Sequence, residues 1–170
     1  MTAIVRLAQP ADLVAIAALC AEHAAYEKAD VDLTNIADRL RIFLFNEDPR
    51  AWCAVADGAR LIGYATWSRE FSTWHATEYV HMDCLYVSTA YRNRGHGFRL
   101  LSFVADAAAA MGCPFVEWQT PHWNMDAMRF YDRCGAVRSQ KVRYRLAPAV
   151  SSTPTEIDSS SPLCSRAFHR

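Results

Sequence analysis

The sequence predicts an α/β fold: a mixed, mostly antiparallel central sheet with helices on both faces. Three observations carry that prediction. Strand-like and helix-like runs follow one another as strand, two helices, three strands, helix, strand, helix, strand. Asp57-Gly58 separates two short apolar runs, a strong short-range hairpin signal because Gly accepts the positive φ that such turns require. Residues 82–97, MDCLYVSTAYRNRGHG, read as a strand, a polar turn with two glycines and the start of a long helix, a passage at which open α/β sheets commonly bind small molecules.

Residues 3–7 have the character of a first strand. Pro10 suits the first turn of the next helix, whose apolar stripe is Leu13, Ile16, Ala17, Cys20 and Ala24 and which runs out near Tyr26, Glu27 and Lys28. Thr34 is placed to cap a second helix carrying Ile36, Leu40, Phe43 and Leu44, and Pro49 closes that region. Strands are expected at 51–56, at 61–67 with an extension towards Phe71, and at 78–87. The Leu- and Ala-rich run 98–111 favours a helix that ends at Gly112. A strand at 115–119, a short helix capped by Asn124 and stopped by Gly135, and a last alternating strand at 142–146 complete the pattern. From Pro148 onward Ser, Thr and Pro replace large apolar residues, so a folded domain is expected over 1–147 and a poorly packed tail over 148–170.

At 170 residues the chain has the size of one domain with a sizeable core. Its 18 Lys and Arg balance 18 Asp and Glu, leaving no positive surplus to neutralise phosphates, and no basic stripe appears; nucleic acid is not expected as a partner. Six cysteines stand far apart and never in C-x-x-C spacing, so no metal site is expected. No run approaches the length of a membrane span and the N-terminus has no leader pattern, which makes a cytoplasmic protein without membrane contact the expectation.

The glycine turn carries chemistry. The first turn of a helix leaves N–H groups without intrahelical partners and holds the positive end of the macrodipole, so Gly95 and Gly97, flanked by Arg92 and Arg94, suit a phosphate or pyrophosphate. Arg92-Asn93-Arg94-Gly95-His96-Gly97 resembles the [Q/R]-x-x-G-x-[G/A] motif by which GCN5-related N-acetyltransferases bind acetyl-CoA. The strand Cys84-Leu85-Tyr86-Val87 precedes it, and residues 124–136, NMDAMRFYDRCGA, resemble the family's second block, N-x-x-A-x-x-F-Y-x-x-x-G-[F/A]. Within that family the likeness is to diamine and polyamine acetyltransferases, over residues 6–146.

The resemblance implies that Leu85, Tyr86 and Val87 offer main-chain groups to the acetyl and pantetheine portions of acetyl-CoA. It implies that Arg92, Asn93, Arg94, Gly95, His96, Gly97 and Phe98 wrap the pyrophosphate and that Asn124 and Ala127 complete the cofactor site. It also implies Tyr131 as general acid, Tyr26, Glu27, Asp83, Glu117 and Trp118 around a small-molecule amine, and a homodimer. The chain departs from the subgroup where Glu-Asp is usual, having Asp83-Cys84 with His81 two residues earlier, and it has Ser72 or Thr73 where an acidic residue precedes the Trp74 region.

Amide formation from a thioester needs a neutral amine, stabilisation of the developing oxyanion and a proton for the leaving thiolate. An alkyl ammonium with a pKa of about 10.4 is only about 0.1% neutral near physiological pH. Asp83, acting through water, is the first candidate base and Glu117 the second; His81 shares a strand face with Asp83 and has a pKa suited to proton transfer. The Leu85 N–H becomes the oxyanion donor if the strand bulges. Glu27, Asp83 and Glu117 would select a cation, and Trp74, Trp118 and Trp123 offer ring faces. Cys84 has no adjacent base, so direct attack is expected. The expected substrate is a diamine, a polyamine or an amino-acid side chain. A wide acidic cleft would instead take an aminoglycoside and give antibiotic resistance, and cofactor binding without turnover would make the domain a sensor.

Overall fold

The structure, a computed structural model, describes residues 3–147, and the tail expected over 148–170 lies outside the described residues. The chain separates into two units, Met1–Ala136 and Val137–Arg170. The first contains β1 (Ile4–Leu7), α1 (Leu13–Glu27), α2 (Ile36–Leu44), β2 (Trp52–Asp57), β3 (Leu61–Ser72), β4 (Thr77–Val87), α3 (His96–Ala110), β5 (Val116–Trp118) and α4 (Met125–Arg133). The strands lie side by side in chain order, antiparallel except for the parallel pair β4–β5.

Side chains alternate across a strand, so β2, β3 and β4 feed a core on each face. One core gathers Ala54, Trp67, Val80 and Met82 beneath Leu100 and Val104 of α3. The other gathers Val55, Tyr64 and Tyr86 beneath Leu13, Ile16 and Leu19 of α1 and Leu44 of α2. Covered on both sides, β2 is buried continuously from Cys53 to Ala56.

Arg6 ties β1 to β2 and to the short turn before α1. Its guanidinium forks onto both oxygens of Asp12, at 2.7 and 3.0 Å, and its Nε donates to Asp57 Oδ2 at 2.8 Å. Asp12 also accepts the Gln9 N–H at 2.7 Å, closing that turn. These bonds, those from Arg6 above all, hold the Asp12 carboxyl below the ordinary range. A depressed carboxyl pKa stabilises the fold above its unfolded value, and the contribution is lost as pH falls through the folded value. Arg6→Met should therefore lower stability at neutral pH by roughly 1–3 kcal/mol. In urea titrations the gap between variant and wild type should narrow as pH falls below the ordinary aspartate range.

Two sequence expectations are corrected. The residue at the N-cap of α2 is Asn35, left-handed at φ 50° and without a side-chain cap bond, while Thr34 lies one residue earlier in a turn closed by its N–H to Asp32 Oδ1 at 2.8 Å. The strand expected at 142–146 is absent: described residues 137–147 carry no helix or strand, and Val142, Tyr144 and Leu146 are exposed. Alternation supplies a strand with a face, but only a partner ladder satisfies its N–H and C=O groups.

Candidate active site

β4 and β5 pair at Val80–Val116, His81–Glu117 and Met82–Trp118 and then part. At the same place the β3–β4 register slips: Trp67 pairs with Met82 and Thr66 with Cys84, leaving Asp83 as the extra residue of a bulge. Past the bulge, the Ser88 N–H donates to the Ile62 carbonyl at 2.9 Å. Bonded and non-bonded pairs alternate along an antiparallel ladder, so Tyr64–Tyr86 and Thr66–Cys84 are the bonded pairs. Leu85 and Val87 consequently turn their N–H and C=O groups away from β3, to the side that β5 has left. The Val87 carbonyl there accepts Arg92 Nε at 3.0 Å.

From Val87 the chain passes through the short turn Thr89–Tyr91 to Asn93 and Gly95, both left-handed at φ 59° and 78°. The first bond of α3 runs from the Arg99 N–H to the Gly95 carbonyl at 3.1 Å. The N–H groups of His96, Gly97 and Phe98 therefore lack intrahelical partners at the positive end of a 15-residue helix. Gly97 faces Phe130 of α4, and a Cβ there would stand 3.4 Å from Phe130 Cζ, in van der Waals contact. The opened edge of β4 and this helix start form a run of main-chain donors that fits an amide-bearing arm followed by a pyrophosphate, the two parts of acetyl-CoA.

The side chains of the turn divide their tasks. The Arg92 guanidinium carbon lies 4.1 Å from the Tyr26 ring centroid and 5.4 Å from that of Tyr86, holding the turn to α1. Arg94 is exposed, its guanidinium carbon 5.8 Å from the Tyr91 ring centroid. His96 turns inward onto Arg99, with Nδ1 2.6 Å from Nη2. Burial, with Arg99 and Arg94 beside it, keeps its imidazole below the ordinary histidine range.

Across from the turn, Tyr26 Oη donates to Asn124 Oδ1 at 3.3 Å, and the same oxygen accepts the Ala127 N–H at 3.2 Å as the cap of α4. One buried amide thereby registers α4 against α1. α4 carries Tyr131, whose ring centroid is 5.0 Å from Trp118 and 5.1 Å from Phe130. Trp118 thus backs Tyr131. Burial, and after it the charge of Glu27, push the Tyr131 phenol well above the ordinary tyrosine value. Cys84 is half-buried, and desolvation, then the charge of Asp83, push its thiol up to about 12, which keeps it protonated and poorly nucleophilic.

Asp83 is exposed on the bulge, with Cys84 Sγ 3.6 Å from its Oδ2. His81 and Glu117 are Cα partners just before the ladder ends. Trp123 tilts against Tyr26 at 6.0 Å, whereas Trp74 is 97% exposed on the β3–β4 turn and is not brought into this group. Among the described residues no cluster of His, Cys, Asp or Glu is arranged for a metal, and no helix is long and apolar enough to cross a membrane.

Two contributors escape a reading by motif. Glu22 accepts Ser88 Oγ at 2.6 Å and Tyr86 Oη at 3.4 Å, fastening the end of β4 to α1. His23 stacks on Tyr86 at 4.9 Å and reaches Glu27. The available signal was their helical spacing from Tyr26 and Glu27, which puts His23 on the same face as both.

Residues 12–136 match the model of the acetyltransferase (GNAT) family. The thialysine N-epsilon-acetyltransferase of Bos taurus is 30% identical over 141 residues, covering 78% of this chain and 82% of that protein. The D-amino-acid N-acetyltransferase of Saccharomyces cerevisiae is 34% identical over 99 residues, covering 56% of this chain and 61% of the yeast protein. An integron cassette protein from Vibrio cholerae shares the fold with a TM-score of 0.71 at 23% identity, over 88% of this chain and 94% of that one. With a splayed sheet, a glycine-led helix start and a family match over most of its length, this chain belongs to the GNAT acetyltransferases and is an acetyl-CoA-dependent acyltransferase.

Proposed function

We propose that the protein transfers the acetyl group of acetyl-CoA to a primary amine of a small cationic molecule: a diamine, a polyamine or an amino acid with a basic side chain. One observation carries the reading: the free edge at Leu85 lies on the strand whose bulge presents Asp83. The two relatives support it, since one is named for a lysine analogue and the other for D-amino acids.

When bound, acetyl-CoA supplies a thioester carbonyl open to attack by an amine. Glu27 and Asp83 make the acceptor side negative, while the positive charge of Arg92 is turned onto the rings of Tyr26 and Tyr86. Asp83 takes a proton from the ammonium through water, with the Glu117–His81 pair next along the strand. The Leu85 N–H donates to the oxygen on which negative charge develops. Tyr131 holds a proton at Oη and delivers it to the departing sulfur, and the proton that the nitrogen loses as the amide forms restores the phenol. Cys84 remains a thiol, so the amine attacks directly.

Main-chain wrapping of the pyrophosphate depends on the turn. Gly95→Val places a β-branched residue at φ 78°, a strain of roughly 1–2 kcal/mol. Its binding of acetyl-CoA, read by calorimetry, should weaken about tenfold as that strain is relieved by reshaping the turn.

A thiol-release assay with spermidine, thialysine and several aminoglycosides tests the substrate. Release with thialysine or spermidine is expected. Release confined to aminoglycosides would move the acceptor to an amino sugar, and tight cofactor binding without release on any amine would leave a sensor. The proposal retains the homodimer, and a single-chain mass in light scattering would remove it.

A further inference from the structure

His23 has no part in the chemistry above, yet it stands among the groups that do. It lies three residues before Tyr26 and four before Glu27 on α1, so the three share a helix face. Its ring stacks on Tyr86 of β4 at 4.9 Å and 20°. Its Nδ1 is 3.1 Å from Tyr64 Oη of β3, and its Nε2 is 3.4 Å from Glu27 Oε1. Three elements therefore fix one imidazole.

The partners decide its tautomer. Tyr64 is buried, and burial keeps its phenol far above the ordinary range, so the hydroxyl keeps its proton. The Glu27 carboxylate beside Nε2 can only accept, which leaves Nδ1 to accept the Tyr64 O–H. The ring proton of neutral His23 then sits on Nε2, directed at the Glu27 carboxylate. Burial lowers the imidazole pKa and the Arg92 charge adds to it, while Glu27 and Asp83 oppose.

We propose that His23 is a positioning residue for the acceptor: held by Tyr64 and stacked on Tyr86, it aims the ionised Glu27 carboxylate at the cationic amine. The inference rests on the reading of this site as an amine acetyltransferase. Glu27 ends its helix just before left-handed Lys28, and a long side chain there has several rotamers open to it. The imidazole N–H selects the one beside Tyr131, where the charge of Glu27 is felt. In acid His23 gains a proton and becomes the carboxylate's own counter-ion, so the acceptor KM should rise as pH falls below the ordinary histidine range.

The test is steady-state kinetics of wild type, His23→Leu and His23→Gln with thialysine and spermidine across the histidine pH range. His23→Leu should raise the acceptor KM about tenfold near neutral pH, with kcat and the KM for acetyl-CoA within about twofold, and should lose the rise in acid. His23→Gln, whose Nε2 still donates to Glu27, should recover most of the affinity without the acidic rise. An acceptor KM unmoved by His23→Leu overturns the proposal, as does an equal loss for acceptor and acetyl-CoA in both variants. If wild type releases no thiol with either acceptor, the activity reading fails and the relay is judged alone by NMR of the ring nitrogens. There, an Nε2–H tautomer whose pKa drops further in Glu27→Gln supports the relay. An Nδ1–H tautomer, or a pKa indifferent to Glu27, refutes it.

Discussion

Tyr131→Phe should lower kcat by roughly a hundred- to a thousandfold while leaving acetyl-CoA affinity within about twofold. Phenylalanine keeps the ring that packs on Trp118 and Phe130, so the helix and the backing of the site survive. Only the proton at Oη is lost. That proton is well kept: burial and the charge of Glu27 both favour the neutral phenol. A group with a raised pKa stays protonated until pH passes its folded value, so Tyr131 should add no alkaline limb to the wild-type kcat profile. Turnover and calorimetric binding measured together check the assignment. A collapse of acetyl-CoA binding in Tyr131→Phe would make the residue structural.

Leu85→Pro should cost roughly a hundred- to a thousandfold in kcat, because proline removes the N–H that faces the opened side of β4. The ladder with β3 loses nothing, since its bonded pairs are Tyr64–Tyr86 and Thr66–Cys84. Proline is tolerated where a strand's N–H has no ladder partner. Tyr86→Pro is the control: one residue on, the same change deletes a ladder bond and should lower the thermal midpoint far more. Normal turnover in a folded Leu85→Pro variant would move the oxyanion donor elsewhere.

Much of this site is readable from local patterns. Asn124 followed by Ala127 three residues later is a capping arrangement, and the structure has that bond. Gly95 and Gly112 sit where positive φ is needed, at the start and just past the end of α3. The residues that escaped detection, Glu22 and His23, act across the chain on Ser88, Tyr86 and Tyr64. Arg92, expected at the pyrophosphate, also gives its Nε to the Val87 carbonyl and lays its guanidinium on Tyr26, which is on another helix. Trp118, expected beside the substrate, also packs on Tyr131. Residues 142–146 alternate as a strand should, and no strand forms there, because pairing depends on a neighbour that the pattern does not name.

The sequence alone determined the fold class, the order of strands and helices as far as α4, the glycine-led helix start and the block that contains Tyr131. Each rests on hydrophobic period, glycine φ or capping chemistry within a few residues. Tertiary structure alone decided where β4 leaves β5, which residue bulges, which N–H groups are freed, and that His23 stands between Tyr64 and Glu27. Those facts depend on register and packing between residues up to 41 positions apart, where a slip of one residue exchanges the two faces of a strand.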